Sequence, residues 1–370
     1  MNLATMSAAR LHEVGMPFRV DTVERPVAGH MDVVVKVQAC GVVPNLRNVI
    51  TTYTTKHITL PSRRLPAIYG LDASGIVSEV GAGVHGLQPG DRVYVNPGLG
   101  CGGCEACRRG DQMCCPDFTF QGYFGFGAGS QKVFDRYPTG GFGEYLVAPA
   151  ANLVKLPVNV TFAQAARFGY LGTAYSALRK ARFVPGQTVL IDGITGTLGL
   201  GAALLSLAMG ASKVFGTGRN KALLSRVEKL GAGRVVPIEL GERPVYEPVM
   251  EATEGLGAHV YIGALGPGAP VGSTLESLQA LRRGGRAVGI GALAEALPLN
   301  PLLMMRRQLS YSGSLWFSAA EGQDMAAMAA AGTLDLSVFD QERYPLSQIN
   351  EAIQATANRS GGFTNIVVTP

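Results

Sequence analysis

Charge is scarce in this chain. Asp, Glu, Lys and Arg make up 16% of its 370 residues, and the net charge of +5 is spread thinly: the basic pairs at Arg108, Arg282 and Arg306 stand apart and trace no stripe. A polyanion would need such a stripe, so the composition argues against nucleic-acid binding. No run of eighteen apolar residues occurs, and residues 1–19 lack the basic start, apolar middle and small-residue cleavage site of a secretory signal; no membrane association and a cytoplasmic location are the resulting expectations. Cysteine is equally sparse, with five of the six crowded between Cys101 and Cys115, too local a set to staple the chain with disulfides. What is abundant is glycine, 49 residues. Glycine at that level with 47% apolar residues suits a compact α/β enzyme with many tight turns, and the length predicts two cores rather than one.

Patterning divides the chain. Residues 32–43 and 68–95 are short β-branched runs punctuated by glycine, the pattern of antiparallel strands in a barrel-like domain. Near residue 162 the apolar period changes from two to 3.6, and strands then alternate with helices: TVLI, LGLGAALLSLAMG, KVFGTG, NKALLSRVEKLG, RVVPI, HVYIGAL, TLESLQALRRGG and RAVGIGA. Such alternation predicts a parallel, doubly wound sheet. Beyond Leu309 the sequence predicts a strand at 311–317, an alanine-rich helix at 321–331, a helix at 346–357 and a final strand at 364–370, a tail that returns to the first domain. The stretch 127–140 reads as a long irregular connection.

The strand QTVLID runs into Gly193-Ile-Thr-Gly196-Thr197-Leu198-Gly199 and directly into an apolar helix. Three spaced glycines are common in turns, but between a strand and a helix they let the backbone approach a pyrophosphate at the helix N-terminus. About twenty residues on, the next strand ends at Gly218, followed by Arg219 and Asn220. A site for NAD presents Asp or Glu there to the ribose 2′-hydroxyl; an arginine in its place can pair with a 2′-phosphate, which points to NADP(H). Cys101, Cys104, Cys107 and Cys115 offer four thiolates at a spacing that can enclose one tetrahedral zinc with no open position, a structural site. Cys114 is a spare ligand or an inert neighbour.

This layout, with PGDRV at residues 89–93, GGFGEYLVAPA at 140–150 and TAYSAL at 173–178, resembles the zinc-type alcohol dehydrogenases of the medium-chain dehydrogenase/reductase superfamily. The resemblance implies an α/β chain with a GroES-like β-barrel catalytic domain (1–160 and 315–370, with a zinc lobe near 97–117) and a Rossmann NADP-binding domain (161–314). It also implies a nicotinamide contact from Thr173, and a homodimer or homotetramer in which the strand at 309–316 extends a sheet across a two-fold.

The likeness breaks where the catalytic metal belongs. Of the family's three ligand positions, the first is Val43, the second Leu71, in Gly70-Leu71-Asp72, and the third Gly169. None of these side chains has a lone pair, so the resemblance predicts hydride transfer without catalytic zinc. Negative charge on the substrate oxygen then needs hydrogen-bond donors instead. Asn45, where the family keeps a proton-relaying Ser or Thr, is one candidate; Tyr53, His57 and Asp72 are the others. Cys40 matches a non-ligating cysteine and is expected to be buried filler; Trp316 is expected in the core or at a subunit interface; Tyr175 is expected at the domain junction. The function expected is NADPH-dependent reduction of a ketone, aldehyde or related C=N group. Reduction of an enone or quinone C=C bond, or NADPH binding without turnover, are the alternatives.

Overall fold

The computed structural model describes residues 4–51 and 61–370. The alternating runs of the first part form short strands, nearly all antiparallel. β1 (Thr5–Leu11) lies between β2 (Arg19–Glu24) and β4 (Ala67–Ile68). A larger sheet is built around β3 (Asp32–Gly41), which pairs with both β5 (Asp72–Val80) and β9 (Tyr145–Pro149), and it continues through β6 (Arg92–Val95) to β10 (Leu153–Lys155). Val33, Val34 and Val35 are fully buried on both faces of β3, which suits a β-branched run at the centre of a sheet covered on both sides. The tail pairs with this sheet: β18 (Thr364–Thr369) pairs with β3, and β17 (Asp340–Pro345) with β18. A lobe projects from it, carrying β7 (Gly98–Leu99), α2 (Glu105–Arg108) and β8 (Thr119–Phe120), and α1 (Leu46–Asn48) follows β3.

The second sheet is six-stranded and wholly parallel. Its order is β13 (Val235–Glu239), β12 (Lys213–Gly218), β11 (Thr188–Asp192), β14 (Ala258–Gly263), β15 (Leu281–Gly289), β16 (Ser310–Gly313). The order reverses between β11 and β14, and ligands bind in the crevice at the carboxyl ends of strands at such a switch point. Five helices connect these strands: α6 (Thr197–Ala208), α7 (Lys221–Leu230), α8 (Tyr246–Ala252), α9 (Val271–Gln279) and α10 (Pro301–Arg307). Before them, α4 (Phe162–Ala165) starts from a capping box of Thr161 and Gln164, and α5 (Phe168–Lys180) joins the two sheet systems. After them come α11 (Ala319–Ala330), opened by a second capping box of Ser318 and Glu321, and α12 (Ile349–Ala355).

Three expectations need correction. The connection at 127–140 contains a helix, α3 (Ser130–Arg136), whose Val133 and Phe134 are buried. The helix expected through TLESLQALRRGG stops at Gln279, because Leu281 is already paired with Ala258 in the sheet and fully buried there. The strand expected at 311–317 ends at Gly313, its last partner being Gly289; the Ser314 N–H bonds the Gly289 carbonyl and the chain turns toward the barrel. No helix among the described residues is long and apolar enough to cross a membrane.

Candidate active site

The carboxyl end of β11 forms a cradle. Gly193 has φ +73°, and a Cβ on Gly199 would stand 2.1 Å from the Gly193 carbonyl oxygen, so the loop closes onto the start of α6 only with glycine at that point. Thr197, at the first turn of α6, keeps its hydroxyl buried and, among the described residues, without a hydrogen-bond partner. An unsatisfied buried donor beside free helix N–H groups fits a phosphate oxygen. The loop is fixed from beneath by a buried carboxylate. Asp192 accepts from Thr217 Oγ1 (2.9 Å), Ser277 Oγ (2.7 Å) and the Tyr261 hydroxyl (2.8 Å), and Thr217 in turn accepts from the Gly193 N–H at 3.1 Å. Burial raises Asp192 to about 6 despite these three donors. At the end of β12, Gly218 is buried while Arg219 is exposed, with no hydrogen bond or ion pair among the described residues. Asn220 spends its side chain on capping α7, accepting from Leu223 N–H at 3.0 Å.

Further along the crevice, Val43, Leu71 and Gly169 converge on one cavity of about 160 Å³, which Asn45, Asp72, Thr173 and Leu198 also line. Val43 and Leu71 are buried, and Gly169 is closely packed. A Cβ added to Gly169 would lie 2.2 Å from Asp72 Oδ1 and 2.7 Å from the outer ring edge of Trp316. A side chain at position 169 would meet a carboxylate and an indole. Among the described residues, the four lobe cysteines are the one group of three or more His, Cys, Asp and Glu placed to hold a metal.

Asp72 is 1% exposed. Burial pushes its carboxyl up to about 7, although the Tyr94 hydroxyl (2.7 Å), the Arg167 charge and the Gly169 N–H all favour ionisation. Arg167 is itself buried, pushed down to about 10, and donates to the Gly362 carbonyl at 2.6 Å. Asn45 receives a hydrogen bond from the Tyr123 hydroxyl on Oδ1 at 2.8 Å, an arrangement that leaves its NH2 group as the donor. Neither Tyr123 nor Arg167 was singled out by the sequence. Tyr123 lies in the aromatic run FTFQGYFGF, whose density of rings was the available signal.

Other candidates divide. Tyr53 and His57 lie outside the described residues. Trp316 is core-packed, its ring 4.7 Å from that of Phe120 and its Nε1 bonded to Asn96 Oδ1 at 2.8 Å, and it also walls the cavity. Tyr175 packs and bonds Asp324 on α11 at 3.0 Å. Cys40 is fully buried, with its thiol pushed well above the ordinary range by desolvation.

In the lobe, the sulfurs of Cys101, Cys104, Cys107 and Cys115 all lie within 4.8 Å of one another. Zinc–sulfur bonds of about 2.3 Å place the corners of a tetrahedron about 3.8 Å apart, so the cluster is compatible with a closed zinc site. Three backbone N–H groups already point at these sulfurs, from Cys101, Cys104 and Cys107. Cys114 is outside the group; it is exposed and hydrogen-bonded to Asp111.

Comparison with known proteins agrees with this architecture. The alcohol dehydrogenase GroES-like domain family matches residues 29–158, and the zinc-binding dehydrogenase family matches residues 197–331. An alcohol dehydrogenase of Geobacillus stearothermophilus is 31% identical over 94% of both chains. The chain belongs to the medium-chain dehydrogenase/reductase superfamily. It is an oxidoreductase of the alcohol dehydrogenase type, with a GroES-like domain and a Rossmann domain. A sorbitol dehydrogenase of Bacillus subtilis strain 168 is 26% identical over 99% of this chain and 97% of its own. Among solved structures, the alcohol dehydrogenase of Aeropyrum pernix superposes with TM-score 0.77 at 28% identity, covering 98% of this chain and 100% of that one. A zinc-binding dehydrogenase from Sinorhizobium meliloti 1021, bound to NADP, shares the fold with TM-score 0.82 at 23% identity, covering 99% and 100%.

Proposed function

We propose that this enzyme reduces a ketone, aldehyde or related C=N group with NADPH, without a metal at the reaction centre, and that its zinc is structural, one ion held by Cys101, Cys104, Cys107 and Cys115. The observation that carries the reading is the packing at Gly169: with Val43 and Leu71 beside it, and Asp72 and Trp316 filling the third position, the cavity offers no ligand set for zinc among the described residues. The cradle of Gly193, Gly196, Thr197, Leu198 and Gly199 would hold the pyrophosphate, Gly218, Arg219 and Asn220 would flank the ribose 2′-phosphate, and Thr173 would meet the nicotinamide. NADPH supplies the hydride when bound.

The chain's own residues supply the rest. The Asn45 NH2, oriented by Tyr123, donates to the substrate oxygen as it gains charge; removal of one such donor in other enzymes costs about 3 kcal/mol of barrier. Asp72, half-protonated near pH 7, delivers the proton to that oxygen. Phe120, Phe124 and Trp316 exclude water from the same space. The test is NADPH oxidation by the purified protein against cyclic ketones, aldehydes and enones, with the products identified. Alcohols from the carbonyl compounds support the proposal; saturated ketones from enones alone, or no turnover at all, contradict it.

A further inference from the structure

The hydrogen-bond donors around the cavity at Asn45 and Asp72 are not all engaged by the protein. Six polar side chains line it: Asn45, Asp72, Tyr123, Tyr170, Thr173 and Trp316. Three of them direct their hydrogens into the fold. The Tyr123 hydroxyl donates to Asn45 Oδ1 at 2.8 Å, the Thr173 hydroxyl to the Gly169 carbonyl at 2.8 Å, and the Trp316 indole N–H to Asn96 Oδ1 at 2.8 Å. Asp72 accepts from the Tyr94 hydroxyl and the Gly169 N–H. Two donors remain: the Asn45 NH2 group, proposed above for the substrate oxygen, and the Tyr170 hydroxyl, which makes no hydrogen bond among the described residues.

Packing does not explain that hydroxyl. Phe168, Leu171, Ala174 and Leu178 of α5 are fully buried, whereas Tyr170 is half-buried. It lies three positions before Thr173, so the two share a helix face and meet the same cavity. A ring placed there for its apolar surface alone could be phenylalanine; a tyrosine hydroxyl drawn away from bulk water takes a hydrogen-bond partner. The guanidinium carbon of Arg167 stands 5.3 Å from the centre of the ring. Burial pushes the phenol well above its ordinary range; Asp72 acts in the same direction, and Arg167 and Arg359 oppose them. The group therefore keeps its proton around neutral pH and serves as a donor.

Resting on the carbonyl-reductase reading above, we propose that the Tyr170 hydroxyl is a second hydrogen-bond donor to the substrate's carbonyl oxygen, forming with the Asn45 NH2 a two-donor site for the charge that hydride transfer builds there. The test compares the parent with Tyr170→Phe, using cyclopentanone for turnover and 2-pyrrolidinone for binding. The second compound has the shape of the first and a carbonyl that accepts hydrogen bonds but takes no hydride. Tyr170→Phe is expected to bind NADPH within about twofold of the parent, to bind 2-pyrrolidinone on the NADPH-loaded enzyme about tenfold more weakly, and to lose about 10²-fold in kcat/KM. Its melting temperature should be unchanged, because the hydroxyl bonds nothing in the fold. Equal affinity for 2-pyrrolidinone with equal kcat/KM overturns the inference while leaving carbonyl reduction standing. A loss confined to NADPH affinity assigns the phenol to the cofactor, and a lowered melting temperature assigns it to the fold; either overturns it as well. Turnover of no ketone by the parent contradicts the parent reading instead. The 2-pyrrolidinone titration then decides the phenol alone: weaker binding to Tyr170→Phe supports it, and equal or no binding overturns it.

Discussion

A buried carboxyl at about 7 ties activity and stability together at Asp72. Its folded value lies above the unfolded value of about 3.9, so its contribution to stability is fully present below pH 4 and is lost as the pH rises through about 7. Asp72→Asn keeps an acceptor for Tyr94 but removes the proton and the buried charge. The variant is therefore expected to gain on the order of 1–4 kcal/mol over the parent at pH 8, read by denaturant unfolding, with the gain vanishing near pH 4. Its carbonyl reduction should fall by about 10²-fold or more, and the parent's rate should decline as the pH rises through 7. Unchanged activity in this variant would remove Asp72 from the chemistry. Arg219 makes the other prediction at this scale. Its side chain has nothing to hold within the described residues, so Arg219→Ala should weaken NADPH binding by about 10–100-fold, the worth of a charge-assisted pair, and leave NADH binding nearly unchanged in a fluorescence titration. Equal losses for both cofactors would contradict the assignment.

Among the elements, those whose chemistry is local were legible in the sequence. The strand, glycine loop and helix at 188–208 and the four cysteines within fifteen positions each read as a unit because their partners are neighbours in the chain. What the sequence hid arrives from afar. Tyr123 reaches Asn45 across 78 positions, and Arg167 reaches Gly362 across 195. Trp316 enters the cavity only because β16 stops at Gly313, a boundary set by where β15 ceases to pair. The lobe is the element whose folding should depend on metal, since α2 is only four residues long and buries none of its own side chains. Cys104→Ser is expected to release the zinc and to make the lobe susceptible to limited proteolysis near residue 105. Structural sites of this kind supply on the order of 10 kcal/mol locally; a variant that keeps its zinc and resists the protease would show that the four thiols are not the ligands.

At the scale of the whole molecule, the two sheet systems divide the proposed work: the parallel sheet presents the glycine cradle at its switch point, the barrel and its returning tail line the cavity at Val43, Leu71 and Gly169, and α5 crosses between them. The fold class followed from periodicity, because the change from a two-residue to a 3.6-residue period is preserved in any twisted sheet packed by helices. The substrate end did not, since it is made where the two systems meet.

The account turns on how many metal ions each chain holds. Elemental analysis of protein purified with zinc present and then desalted should give one zinc per chain, lost in Cys104→Ser. Two zinc ions per chain, with one surviving in that variant, would place a metal where Val43, Leu71 and Gly169 leave no ligand and would contradict the mechanism.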